Sequence, residues 1–183
     1  MSTELHTIIE GCKNHNILLQ KSLYSYCYKQ MMKVCSRYTE DEETAASMYN
    51  DAMLKVFKNI DNYIEEGKIM AWIKTITVNT CIDYVRKKSP IVIKEFKEEY
   101  NNNAIIDNEI IAKMSNAEIK QIINTLPKNE ALVFNLFVYE QYSHNEIANL
   151  LNIPAGTSRY YLNQARSLLK RMIENNIYSL NKI

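Results

Sequence analysis

Arg159, Asn163, Arg166 and Lys170 follow one another at steps of four, three and four residues. On a helix that spacing lines them along one face, with Tyr160 beside the first of them. Arginine can donate two hydrogen bonds to the edge of guanine, and asparagine can bond the edge of adenine. The row therefore has the chemistry of base reading in a duplex groove. From Pro154 to Ile173 the chain carries four cations, Arg159, Arg166, Lys170 and Arg171, and no acid. A local basic stripe of this kind matters more to a nucleic acid than the overall formal charge of +1. Thr157 and Ser158, at the start of the same helix, would bring hydroxyls and backbone N–H groups to phosphates. A plain three-helix bundle with a polar outer face uses the same residue types. The Gly156-Thr157-Ser158 start, followed by an acid-free cationic face, favours DNA.

Residues for bond-making chemistry are not arranged for it. Four cysteines, Cys12, Cys27, Cys35 and Cys81, form no C-x-x-C pair. His6, His15 and His144 are not placed to complete a metal site with them. No Gly-rich loop or nucleophile elbow occurs. The expectation is a protein with no metal, no cofactor, no small-molecule substrate and no enzymatic activity. Its thiols are expected to be free and reduced in a cytoplasm. Neither a signal peptide nor an apolar run near the roughly 18 residues of a membrane span is present, which also predicts a cytoplasmic protein.

The elements that must position these residues are helices. Three glycines and three prolines in 183 residues leave too few turn formers for a β-rich chain, while 46% apolar residues suffice for cores. The fold class expected is all-α. Apolar periodicity predicts helices over about Leu5–Lys13 and Ile17–Tyr38. A Thr39-x-x-Glu42 capping box should open a third, reaching Ile60. A polar loop from Asp61 to Lys68 leads to a fourth helix, Ile69–Lys88, which stops before Pro90. The stretch from Ile91 to Ile111, with Asn101-Asn102-Asn103, has no apolar face and reads as a flexible linker, partly helical at most. Further helices are predicted over Met114–Leu126, Lys128–Glu140, Ser143–Leu151 and Pro154–Ile173, the third with a Ser143/Glu146 capping box. The last would present Arg159, Tyr160, Tyr161, Asn163, Gln164 and Arg166, and bury Ser158, Leu162, Ala165, Leu169 and Met172. Two small helical domains follow, 1–90 and 113–173, joined by a linker at 91–112 and ending in a frayed tail at 174–183. The second is a helix-turn-helix.

A family resemblance enters on specific runs. Leu126-Pro127, Val133-Phe134, Tyr142-Ser143-His144-Asn145-Glu146-Ile147-Ala148, Gly156-Thr157-Ser158 and Gln164-Ala165-Arg166 resemble the −35-binding domain of extracytoplasmic-function (ECF) sigma factors. Asp51 to Ile60 is similar to that family's polymerase-binding helix. Ala71 to Asn79, with Asp83-Tyr84-Val85-Arg86-Lys87-Lys88, is similar to its −10-recognition helix. The resemblance covers about residues 5–90 and 114–173, in family order.

It implies a subunit of bacterial RNA polymerase that directs promoter-specific initiation. Asp51, Lys55, Lys58 and Asn59 would meet the clamp helices of the largest catalytic subunit, and the second domain would rest on the flap of the other large subunit. Trp72, Asn79 and Arg86 recur every seven residues, so they lie on nearly one line of a helix. An aromatic, an amide and a cation in a row suit stacking, base-edge bonding and phosphate contact with melted DNA. A lone Trp on an amphipathic helix is, however, more often a core residue. Asn62, Lys68 and Lys87 join this −10 set; Thr75 stands where many members carry Arg. Thr157, Ser158, Arg159, Tyr160, Asn163 and Arg166 form the −35 set. The partners implied are the two largest polymerase subunits, promoter DNA and an anti-sigma factor holding the protein at the inner membrane face. The alternative is a helix-turn-helix regulator that is not a polymerase subunit.

Overall fold

The computed structural model describes residues 3–64, 67–88, 90–93 and 121–180, and every regular element among them is a helix. The chain divides into two compact units after Tyr84.

In the first unit, α1 (Thr3–Lys13) and α2 (Ile17–Cys35) pack side by side. Asn16 caps α2, its Oδ1 accepting from the N–H groups of Leu18 and Leu19 at 3.0 and 3.2 Å. Gly11 allows the close approach: a Cβ there would lie 1.9 Å from Cδ1 of Leu19. α3 spans Glu42–Asn59 and runs into a 3-10 turn, Ile60–Asn62. Its cap is Asp41, not Thr39 as the spacing predicts. The Asp41 carboxylate accepts from the Thr44 N–H at 2.8 Å, while Thr39 accepts from the Asp41 N–H at 3.2 Å. A carboxylate at the positive end of a helix displaces the neutral hydroxyl from that role. α4 spans Ile69–Lys88, as expected, its last turn running past the Tyr84 boundary.

One core holds this unit together. Ile9, Leu23, Met31, Tyr49, Met53, Ile60, Ile69 and Ile73 meet in it, and all four cysteines belong to it. Fully burying side chains of this size contributes about 1.5–3 kcal/mol each. The thiols thus serve as small apolar fillers.

The second unit has helical residues 121–124, α5 (Lys128–Phe134), a wide-turn π segment (Asn135–Tyr139), α6 (His144–Leu151) and α7 (Ala155–Leu180). α5 and α6 pack on α7. The single helix predicted over Lys128–Glu140 is interrupted because Leu132, Val133, Phe134, Asn135 and Leu136 are all buried in succession. No 3.6-residue stripe turns five consecutive positions inward, and the wider turn closes with the Glu140 N–H donating to the Asn135 carbonyl at 3.1 Å. α6 has the predicted capping box: Ser143 Oγ accepts from the Glu146 N–H, and the Glu146 carboxylate accepts from the Ser143 N–H at 2.7 Å. Asn152, with φ of 53°, ends α6 in the left-handed conformation and starts the turn into α7.

Two expectations are corrected here. α7 continues through Leu180 in place of a frayed tail from 174. Tyr161, expected to point outward, is buried, because α7 is covered by both α5 and α6 and its inward stripe is correspondingly wide. Most of the linker assigned to 91–112, and most of the helix expected from Met114, lie outside the described residues.

Candidate nucleic-acid interface

In the second unit, the Asn152–Pro154 turn sets the start of α7 against α6. Arg159 and Lys170 are exposed along α7, with Tyr160, Asn163 and Arg166 half-buried between them. The side chains of Thr157 and Ser158 do not reach that surface. Both are buried, and Ser158 Oγ lies 2.9 Å from Nδ1 of His144. Their expected hydroxyl contacts with phosphates are thereby corrected; what the first turn of α7 can offer outward is backbone N–H and the helix's positive end. Tyr161, deeper in, accepts from Asn129 Nδ2 at 3.3 Å.

His144 and Phe137 are functional candidates that spacing did not single out. Their rings stack with centroids 4.6 Å apart. Arg166 stands over the other aromatic partner, with Cζ 5.8 Å from the Phe137 centroid. Burial, then Arg159 and Arg166, push the His144 imidazole below its ordinary range. The aromatic at 137 and the His after a capping Ser were visible in the sequence, but only the π segment brings them together.

In the first unit, Trp72 is half-buried against the core. Its indole packs on Tyr63, whose hydroxyl accepts from the Lys68 N–H at 3.1 Å. One end of the polar loop is thus tied to the foot of α4. Asn62, Lys68, Arg86 and Lys87 are exposed and Asn79 is half-buried. The hydroxyl of Thr75 donates back to the Ala71 carbonyl at 3.0 Å.

Asp51, Lys55, Lys58 and Asn59 are all exposed on α3, at the i, i+4, i+7, i+8 spacing of one helix face. Lys55 pairs with Asp83 of α4 at 3.1 Å, both side chains being largely in solvent. Asn59 Nδ2 donates to the Lys55 carbonyl at 2.8 Å. Leu54 is 57% exposed between these polar residues.

Both halves match known families. Residues 23–91 match the model for Sigma-70 region 2, and residues 116–169 match that for Sigma-70, region 4. The chain belongs to the ECF sigma factors of bacterial RNA polymerase. It is 24% identical over 170 residues to the ECF RNA polymerase sigma factor SigW of Bacillus subtilis, covering 86% of each chain. To the RNA polymerase sigma factor SigZ of the same organism it is 24% identical over 154 residues, with 84% of this chain and 86% of the relative covered. The ECF RNA polymerase sigma factor SigM, also of B. subtilis, is 21% identical over 160 residues, covering 85% and 95%.

As an ECF sigma factor, the chain joins core RNA polymerase and directs initiation at promoters. Region 2 in the first unit decides against a helix-turn-helix regulator that is no polymerase subunit. Among the described residues no helix is long and apolar enough to cross a membrane.

Proposed function

We propose that the sigma factor divides its work among three surfaces. The exposed face of α3, with Asp51, Lys55, Lys58 and Asn59, docks on the largest polymerase subunit. The start of α4 and the loop before it engage the −10 element through Asn62, Lys68, Trp72 and Asn79, while Arg86 and Lys87 hold the adjoining phosphates. The outer face of α7 reads the −35 element through Arg159, Tyr160, Asn163 and Arg166, with the positive end of the helix at 155–157 turned to phosphate and Ser158, whose N–H already donates to the Pro154 carbonyl at 3.2 Å, making no direct contact. The observation that carries this reading is the cationic face of α7, with no acid from Ala155 to Ile173, in a chain that also carries region 2.

Each reader alone makes few contacts. Joining both to one polymerase turns two modest affinities into one grip, with an effective concentration set by the connecting segment. The division into domains at 1–90, 91–112 and 113–173 follows the same logic, with the polymerase flap under the second domain. The factor itself catalyses nothing; the catalytic residues are those of the polymerase.

The protein works in the cytoplasm and is restrained there, at the inner membrane face, by an anti-sigma factor. Exposed apolar residues in the first unit support such a partner: Ile17 is 78% and Leu18 75% exposed at the start of α2.

Transcription reconstituted from core polymerase and this chain on genomic fragments tests the assignment of surfaces. Start sites should share a −35 and a −10 sequence. Lys58→Glu should weaken core binding, Asn79→Ala should impair initiation with core binding intact, and Asn163→Ala should relax the −35 sequence. Variants that leave all three readouts at wild-type values would remove these residues from the interfaces.

A further inference from the structure

His144 is the first residue of α6, directly after its Ser143 cap, yet its side chain turns inward. The ring lies nearly flat on Phe137 of the π segment, the planes 25° from parallel. Its Nδ1 meets the hydroxyl of Ser158, which is completely buried in the first turn of α7. The Arg166 guanidinium rests over the same Phe137 ring. One imidazole therefore joins three elements of the reader.

We propose that His144 is a positioning residue of the −35 reader, holding the first turn of α7 and its Arg159 through Ser158, and Arg166 through Phe137. The inference rests on α7 being the DNA-contacting helix. Bidentate bonds to base edges tolerate little displacement, so residues that fix a guanidinium act on discrimination without touching DNA.

The charges around the ring give the role a signature. Arg159 and Arg166 of α7 both disfavour a cation at His144, and burial adds to them. Glu146 of the same helix gives its carboxylate to Ser143. Phe137 and Ser158 are uncharged. A neutral imidazole thus sits in the stack without conflict. Once protonated, it places a third cation beside two guanidinium groups and pushes them out of register. The added charge also strengthens attraction to phosphates, which carries no sequence information. Acidification should accordingly lower discrimination between correct and scrambled −35 sequences while raising the salt-sensitive, sequence-independent affinity.

The test uses holoenzyme assembled from core polymerase and the full chain. A −35 sequence is first recovered by selecting random duplexes on wild-type holoenzyme at pH 7.5. The ratio of Kd for scrambled over selected duplex is then measured between pH 7.5 and 5.5. For wild type the ratio should fall about fivefold or more. His144→Asn keeps a group able to bond Ser158 but cannot titrate, so its ratio should stay flat. His144→Phe keeps the stack and loses the hydrogen bond, and should discriminate poorly at every pH. A flat wild-type profile overturns the proposal without recourse to any variant. So does a His144→Asn profile that matches wild type, or a folded His144→Phe holoenzyme that discriminates normally. Arg159→Ala and Asn163→Ala separate this failure from that of the underlying reading: if neither relaxes base preference, α7 is not the reader at all.

Discussion

The Trp72 indole packs against Tyr63 with ring centroids 5.3 Å apart and planes inclined at 44°. Tyr63 is itself buried and holds the Lys68 backbone, so Trp72 braces α4, the core and the loop at once. An aromatic in this setting is a structural member before it is a DNA contact.

Replacing it should therefore show up in stability. Trp72→Ala is expected to cost about 2 kcal/mol, below the roughly 3–5 kcal/mol of a fully buried Trp because the side chain is only half-buried. Trp72→Phe should recover most of that. Urea unfolding followed by circular dichroism reads both. Arg86→Ala provides the contrast: an exposed cation at the end of α4, it should leave the unfolding midpoint unchanged and weaken promoter binding. Equal stability of Trp72→Ala and wild type would mean that the ring contributes little to the core.

On α7, burial divides the residues once grouped together as DNA contacts. Arg159→Ala and Asn163→Ala should each lower −35 discrimination by about 1–3 kcal/mol where the contact is bidentate, with folding intact. Lys170→Ala should instead weaken binding to all sequences and reduce its salt dependence. Thr157→Val belongs to neither class. Its side chain is buried, so its effect should appear as lost thermal stability. Ser158→Ala should lose stability in the same way and, because it breaks the bond to His144, should also lower −35 discrimination. Binding curves for matched and mismatched duplexes at two salt concentrations, set beside melting curves, distinguish the three patterns.

Helix order and the two-domain division were legible because scarce Gly and Pro, apolar periodicity and the Ser143/Glu146 box all act locally. α4 matches its expected span, Ile69–Lys88, for that reason. What failed depended on contacts distant in sequence or on competition between neighbours. Asp41 and Thr39 both offer a cap, and only their energetics separates them. The π segment arises because five successive residues find apolar surroundings on several sides, which periodicity along one helix does not report. Ser158 was expected both on the inward stripe and at a phosphate; the His144 bond across 14 residues favours the first. Trp72 carries two readings in the sequence, and its half-buried ring against Tyr63 meets the structural one while leaving part of the ring for DNA.

His144 also makes stability depend on pH, with a sign that follows from its environment. Its folded pKa lies below the ordinary 6.5 of an exposed imidazole. The unfolded chain therefore takes up the proton first as pH falls. Stability of the second unit should be intact above about pH 6.5 and decline below it, levelling off once the folded imidazole is also protonated. Chemical unfolding at half-unit steps from pH 7.5 to 5 should show this decline in wild type and less of it in His144→Asn. Identical slopes for the two proteins would assign the acid sensitivity to other groups.

The thiols should behave as core residues, and alkylation can show it. Burial pushes Cys12 up to about 11, and burial with Cys12 nearby pushes Cys27 up to about 12. In Cys35 the hydrogen bond with Cys81 outweighs burial and lowers the pKa. All four lack solvent exposure, and only a thiolate reacts with an alkylating reagent. Native protein at pH 8 should therefore take up iodoacetamide only as fast as the first unit opens, with Cys12 and Cys27 blocked until it unfolds. Above pH 9, the ordinary value for these two thiols, the unfolded chain ionises them before the folded one does. Stability is thus fully present below pH 9 and lost as pH rises toward 11 and 12. Cys12→Ala should blunt that alkaline loss. Mass spectrometry of peptides from briefly alkylated protein gives the order of reaction, and rapid labelling of Cys27 in folded protein would contradict its place in the core.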